Sequence, residues 1–373
     1  MKYVFTALII FLCSGVTPLN AQSEKTDQLF EIEELVTGLS YPWTFVFLSE
    51  NQMLITERTG NLRHLVNRVV SEPVKGLPND IYVNGQGGLL DVILHPQYRD
   101  NGWLYLSYAA GSDTRNTLKI IRARLKDNQL QDVEPILTIY PYRDTPVHYG
   151  ARMAFLEDHT LLVTSGDGFD YREDAQKMNS LLGKILRIND DGTIPQDNPF
   201  VNNDDVNSHK IFSLGHRNPQ GLVYDSNRNQ VFSNEHGPDG GDEINIIRRG
   251  KNYGWPIATN GIDYSGARIS PFRTYPGMQP PLVDWTPSIA PSSMVVYEGA
   301  LFPQMRGDLL VSTLKAKEIR WVHMQGNEVV GQESLFHNLN LRFRDVSVHP
   351  DGSIYLLVDG AQGKILRVVP KLN

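Results

Sequence analysis

Cysteine is almost missing from this chain: its one cysteine, Cys13, lies in an apolar run near the start. A disulfide framework and a cysteine-rich zinc centre are therefore excluded, and core burial has to hold the fold together. Neither sign of charge dominates, since 35 Lys and Arg stand against 42 Asp and Glu, a net charge of −7 with both signs interspersed. That balance argues against nucleic-acid binding, although a local Arg/Lys cluster in a cleft can still recruit a small anion. No apolar run has spanning length. Residues 4–13, after Lys2 and before the small Ala21, read instead as part of a secretory signal peptide over 1–21. The expectation is an exported, periplasmic or secreted protein whose residues 22–373 form a single domain with no membrane span. The sequence also has no Gly-x-Ser-x-Gly elbow, no His-Glu-x-x-His and no phosphate loop.

What the chain does have is a repeat. A polar turn, a short apolar strand, a Gly- or Asp-containing loop and a second strand ending in basic residues recur six times. The first strands are expected at 53–56, 103–108, 161–165, 230–233, 309–313 and 353–358, the second at 61–66, 118–125, 184–188, 243–248, 318–323 and 364–369. Two copies share the run GKILR, at Gly183 and at Gly363. A β-sandwich has no reason to repeat one loop chemistry six times, so the pattern predicts an all-β fold, a six-bladed β-propeller of four-stranded antiparallel blades. The alternating segment 30–36 is expected to return to the last blade and cover its open edge.

Segment 215–256 holds the densest chemistry: GHRNPQGLVYD, then SNEHGPDGGDEINIIRRGKNYGWP. It joins Arg217 and Asn218 to a Gly-Pro turn at Gly237 and Pro238 inside an acidic loop containing Asp239, Asp242 and Glu243. Hard cations such as Ca²⁺ take oxygen ligands, and a tight Gly-Pro turn can offer backbone carbonyls with carboxylates nearby. The competing reading of Asp-Gly-Gly-Asp is a solvated hairpin turn. Tyr253 and Trp255 read as packing residues.

If the repeated strands are the middle pair of each blade, the loop between them and the loop entering the innermost strand open on one face. Gln86, His148, Arg217, Asn218, Arg342 and Arg344 fall in the entering loops, and Asp167, Gly237, Pro238 and Lys315 in the middle-pair loops. All would converge on one mouth of the central channel. Four cations there, Arg217, Lys315, Arg342 and Arg344, suit a ligand with several negative groups. His148 and Asp167 suit an imidazole base oriented by a carboxylate, although a histidine satisfied in the core is the alternative.

These residues resemble a known family, the soluble pyrroloquinoline-quinone (PQQ)-dependent aldose sugar dehydrogenases, related to soluble glucose dehydrogenase. The resemblance runs from about Trp43 to Val369, through GQGGLL at Gly85, the His148/Arg152 segment, GDG at Gly166, HRNPQGL at His216, EHGPDGGDEIN at Glu235, NYGWP at Asn252, APSS at Ala290, TLK at Thr313 and LRFRDV at Leu341. It implies that the quinone lies over the propeller mouth, with Ca²⁺ joining it to the carbonyls of Gly237 and Pro238. It further implies that Gln86, Arg217, Asn218, Lys315, Arg342 and Arg344 hold the cofactor. His148 would then be the base, Asp167 its orienter and Arg217 a polarising cation, as an aldose C1 hydroxyl is oxidised to a lactone and an external acceptor removes the electrons. Glu243 and Asp263 match two positions of an additional calcium site, whereas Thr259 and Gly261 depart from it. Val147 and Ala151 depart from the glucose enzyme beside the base. A calcium-dependent lactonase or esterase on the same fold is the alternative activity, and a propeller that binds without catalysis is the third reading.

Overall fold

The computed structural model describes residues 29–371. The signal peptide expected over 1–21, with Cys13, lies outside them. Six four-stranded antiparallel sheets are arranged around a central channel, as the repeat predicts. The innermost strands are Pro42–Ser49, Leu89–Leu94, Gly150–Phe155, Pro219–Asp225, Pro291–Val296 and Phe343–Val348. Each repeated strand pair forms the middle of a blade, for example Leu161–Ser165 with Lys184–Ile188 and Leu309–Thr313 with Ile319–Gln325.

Burial explains why those middle strands are the most apolar. Leu161–Ser165, Leu309–Thr313 and Ile354–Val358 are buried at every position, because neighbouring blades cover both of their faces. Leu161, Val163 and Leu186 of the third blade share a core with Tyr105 and Ile120 of the second. Each fully buried aliphatic side chain is worth about 1.5–3 kcal/mol, and the interfaces between blades supply many of them without any disulfide. Outer strands such as Gln129–Thr138 are largely exposed and polar.

The ring closes as expected. Phe30–Leu39 pairs antiparallel with Gly363–Pro370, setting Ile32 opposite Val368 and Leu39 opposite Gly363, so it becomes the outermost strand of the last blade and covers the edge of Gly363–Pro370. Among the described residues no helix is long and apolar enough to cross a membrane.

One regularity was not visible in the repeat. All six innermost strands break register with their neighbours near their N-terminal ends, between Pro42 and Thr44, Leu89 and Val92, Gly150 and Met153, Pro219 and Gly221, Pro291 and Met294, and Phe343 and Asp345. A bulge bends a strand and re-aims the side chains within it. Here the irregular stretches carry Trp43, Leu90, Gln220 and Arg344, all of which line the channel mouth. Deeper in the channel, Arg152 ties the blades together: Nη1 reaches Asp91 at 3.2 Å and Thr44 Oγ1 at 3.2 Å, and Nε donates to the Gln220 carbonyl at 2.9 Å.

Candidate functional site: a cationic mouth and an imidazole chamber

The loops entering the innermost strands and the middle-pair loops do open on one face, but the residues they carry divide between two adjoining cavities. The first is the channel mouth, a volume of about 260 Å³ lined from every blade, with Trp43, Gln86, Gly150, Asn218, Ala290 and Arg344 among its walls. The Arg344 guanidinium is half-buried, 4.9 Å from the centre of the Trp43 ring, while Arg152 lies 4.2 Å from the same ring. Among the described residues no carboxylate pairs with Arg344, and burial pushes its guanidinium down to about 10. Asp359 and Asp345 act on it only through longer-range charge, so a cation resting on an indole keeps its hydrogen-bond donors for a ligand.

The other predicted cations differ. Arg342 is 49% exposed and already engaged, its Nε and Nη2 on Asp359 at 3.2 and 3.1 Å and its Nη1 on the Leu314 carbonyl. Lys315 is exposed, and the mouth lining includes its neighbour Leu314 instead. Gln86 and Asn218 each use the side-chain oxygen to brace backbone, Gln86 Oε1 accepting the His148 N–H at 2.8 Å and Asn218 Oδ1 that of Gly150 at 3.1 Å. Their amide NH₂ groups have no protein acceptor among the described residues. Arg58, which sequence reasoning missed, also lines the mouth, and its guanidinium donates to the Gly85 carbonyl beside Gln86.

The second cavity, about 380 Å³, is lined by His148, Asp167, Phe169, Arg217, Trp255 and Tyr264, with Pro238 and Asp263 at its margin. His148 Nδ1 lies 2.7 Å from Asp167 Oδ1. That carboxylate is itself fixed, because Trp255 Nε1 donates to Oδ2 at 2.8 Å and the Phe169 N–H to Oδ1 at 2.8 Å. The close approach depends on Gly166, where a Cβ would meet the His148 carbonyl oxygen at 2.1 Å. His148 itself has φ 54°, a left-handed conformation uncommon for a non-glycine residue.

Burial holds the His148 imidazole below its usual 6.5, outweighing the upward pull of Asp167 and helped by Arg217 and Arg143. Burial alone would raise Asp167, but the hydrogen bond and charge of His148 and the charge of Arg217 keep it below the ordinary carboxylate value. The result is a neutral imidazole beside a carboxylate. With Nδ1–H donated to Asp167, Nε2 carries the free lone pair.

Arg217 joins the chamber to the Gly-Pro turn. Its Nη1 donates to the carbonyls of Gly237 at 2.7 Å and His236 at 3.1 Å, and its backbone N–H to Glu235 Oε2 at 2.7 Å. The turn needs glycine at 237, because a Cβ there would meet the Gly240 carbonyl oxygen at 2.2 Å. Asp242 is the anchor of this turn: Oδ1 accepts the Gly237 N–H, and Oδ2 accepts Ser288 Oγ and the N–H groups of Ile289 and Ala290. Glu243 is driven well above the usual carboxylate value by burial and by Glu235 nearby. Asp263 has a half-exposed side chain, accepts from Ser265, and lines a different cavity from Glu243. Among the described residues no three His, Cys, Asp or Glu side chains are grouped as a metal cage.

A family model described as Glucose / Sorbosone dehydrogenase matches residues 39–367. The chain belongs to that family. Within it, the chain is 38% identical over 347 residues to the aldose sugar dehydrogenase YliI of Escherichia coli, covering 91% of this chain and 93% of that protein. It is 27% identical over 433 residues to quinoprotein glucose dehydrogenase B of Acinetobacter calcoaceticus, covering 93% of this chain and 88% of that protein. The crystal structure of the soluble aldose sugar dehydrogenase from Escherichia coli in its apo form superposes with a TM-score of 0.87 at 36% identity, over 92% of this chain and all of that one.

Against this dehydrogenase background, one expectation is extended and, besides Arg58, two residues were missed. Trp255 is a packing residue, 7% exposed, but also the hydrogen-bond donor that completes the Asp167 shell. Phe169 and Tyr264 line the chamber as exposed aromatics, at 43% and 64%. GDGF at 166–169 offered a signal for the first, a bulky residue directly after a Gly turn, whereas Tyr264 lies in a loop without periodicity.

Proposed function

We propose that this protein is an exported quinoprotein that oxidises the C1 hydroxyl of aldose sugars to lactones, using PQQ and Ca²⁺ and passing the electrons to an external carrier. The observation that carries the reading is the juxtaposition of a neutral, carboxylate-oriented imidazole with a cationic mouth whose inner guanidinium has no carboxylate at ion-pair distance among the described residues. Its relatives' names, aldose sugar dehydrogenase and quinoprotein glucose dehydrogenase, agree with it.

The residues fit the cofactors. Arg344, with Arg342, Arg58 and Lys315 on the same face, suits an acidic ring system, because guanidinium groups fork onto carboxylates. The amide NH₂ groups of Gln86 and Asn218 can donate to its oxygens. The Gly237 and Pro238 carbonyls form an all-oxygen set appropriate to a hard cation, and the Gly237 carbonyl already accepts from the cationic Arg217. Two carbonyls are fewer than the six to eight oxygens Ca²⁺ takes, so a metal there would draw its remaining ligands from cofactor and water. Glu243 and Asp263 would hold an additional Ca²⁺ only if the loop between their cavities rearranged.

When bound, the quinone supplies the two-electron acceptor that the side chains lack. The protein's own work is proton removal and placement. His148 Nε2 takes the proton of the sugar's C1 hydroxyl, and Asp167 stabilises the imidazolium so formed. Trp255 and the Phe169 N–H prevent the carboxylate from turning away. Arg217, anchored through its backbone to Glu235, places positive charge between chamber and mouth, where negative charge grows as the C–H bond weakens. The guanidinium-rich mouth argues against a calcium-dependent hydrolase, whose metal would need carboxylate and amide ligands there.

The test is reconstitution. Purified protein should reduce an electron-accepting dye with glucose or another aldose only after both PQQ and Ca²⁺ are added, and the product should be the lactone. Full dye reduction in a chelated, quinone-free preparation, or lactone hydrolysis without dye reduction, would overturn the reading.

A further inference from the structure

The chamber has an apolar side that the proton chemistry does not use. Phe169 and Tyr264 come from separate loops, yet their rings lie nearly parallel, 21° apart with centroids 6.5 Å apart. Both are substantially exposed although they flank a buried base. Phe169 also meets the His148 imidazole edge-on at 5.2 Å, and the Tyr264 hydroxyl lies 3.5 Å from Arg217 Nη2. The two rings thus form one wall that starts at the imidazole and ends at the guanidinium.

Phe169 is held there against its backbone preference. Its φ is 70°, a conformation unusual for a bulky residue, and its N–H donates to the same Asp167 oxygen that receives His148 Nδ1. One carboxylate oxygen therefore positions both the base and the ring. A water-exposed aromatic held in a disfavoured conformation by the base's own orienting group has no evident folding role, since neither ring contributes to a hydrophobic core.

We infer that Phe169 and Tyr264 are substrate-positioning residues: they form an aromatic wall against which the C–H face of an uncharged aldopyranose packs while its C1 hydroxyl meets His148 Nε2. The inference rests on the chamber being the site of aldose oxidation. An aromatic face suits this ligand because a pyranose ring presents C–H groups above and below and hydroxyls at its edge, so burying the face costs no hydrogen bond. The rim favours an uncharged sugar, as Asp170, Glu173 and Asp263 line it and Arg172 lies 3.1 Å from Glu173 and 4.0 Å from Asp263.

The experiment uses quinone- and calcium-loaded protein and two readouts. The first is steady-state dye reduction with glucose; the second is saturation-transfer NMR with 1,5-anhydro-D-glucitol, a glucose analogue that has no C1 hydroxyl to oxidise. Phe169→Ala and Tyr264→Ala should each raise KM about 5- to 10-fold, the scale of one aromatic contact, with kcat and quinone affinity within about 3-fold. The ring-face protons of the analogue should lose their signal in both variants, and Phe169→Tyr should restore KM while Phe169→Leu should not. An unchanged KM and an unchanged analogue signal in active Ala variants would overturn the wall and leave the proposed reaction standing. A loaded wild-type protein that oxidises no aldose and gives no analogue signal would overturn the reaction and the wall together.

Discussion

The channel mouth and the imidazole chamber share one face of the propeller but solve opposite electrostatic problems. In the chamber the shell that orients the base is already complete: Asp167 receives His148, Trp255 and the Phe169 N–H before a ligand arrives. In the mouth the inner cation is desolvated and has no carboxylate at ion-pair distance among the described residues, Arg344 resting on Trp43 with its guanidinium pushed down to about 10. The difference teaches that the two cavities serve different purposes. A satisfied network fixes geometry for a proton transfer, whereas an unsatisfied one stores binding free energy for an anion.

That division can be broken by substitution. The largest effect is expected in the chamber, where His148→Ala should lower kcat by about 10²-fold or more, the usual scale for a positioned base, while PQQ affinity stays within a few-fold. Steady-state kinetics beside a quinone titration checks both halves. Next comes the mouth. Arg344→Ala should weaken PQQ binding by about 1.5–3 kcal/mol, the range of a charge-assisted contact, without lowering the melting temperature of the quinone-free protein. Earlier unfolding with unchanged affinity would make Arg344 a structural residue.

A smaller effect tests the carboxylate shell. Trp255→Phe keeps the packing and removes the donor to Asp167 Oδ2, so the carboxylate stabilises the imidazolium better and the acid limb of kcat/KM should move to higher pH. In the wild type that limb lies below pH 6.5, because the folded imidazole is held under its ordinary value. The sign for stability follows: above about pH 6.5 neither state binds this proton, and below it the unfolded chain gains a proton that the native chamber resists. The His148 contribution to stability is therefore lost as pH falls through this range, and recovers in His148→Ala. Denaturant titrations from pH 7 to 5 measure it.

The smallest changes are expected on the outer rim. Arg342 is half-exposed and already paired with Asp359, and Lys315 is exposed, so truncating either should cost about 0–1 kcal/mol of PQQ affinity and fade with added salt. A loss as large as that of Arg344→Ala would extend the inner cation site across the whole rim.

Much of this was legible in the sequence for a physical reason. The middle strands are covered on both faces, so their apolar runs and intervening loops had to repeat, and the closing strand announced itself by alternation before the first copy. Loop position also sorted the candidate residues onto one face. Loop position could not say where on that face a side chain would end, because the register breaks of the innermost strands re-aim Trp43, Gln220 and Arg344 without any mark in the repeat. Nor could the acidic loop reveal that Asp242 spends its oxygens on four protein donors, or that Trp255 reaches Asp167 across 88 positions of sequence.

The measurement that bears most directly on this division is a crossed titration. PQQ is added with Ca²⁺ to His148→Ala and to Arg344→Ala, and both bound quinone and glucose-dependent dye reduction are followed to saturation. The account predicts that His148→Ala binds PQQ as the wild type does and stays inactive, while Arg344→Ala needs at least about 10-fold more PQQ and then regains near-normal turnover. Variants that lose binding and turnover in the same proportion would contradict it, and the two cavities would have to be treated as one site.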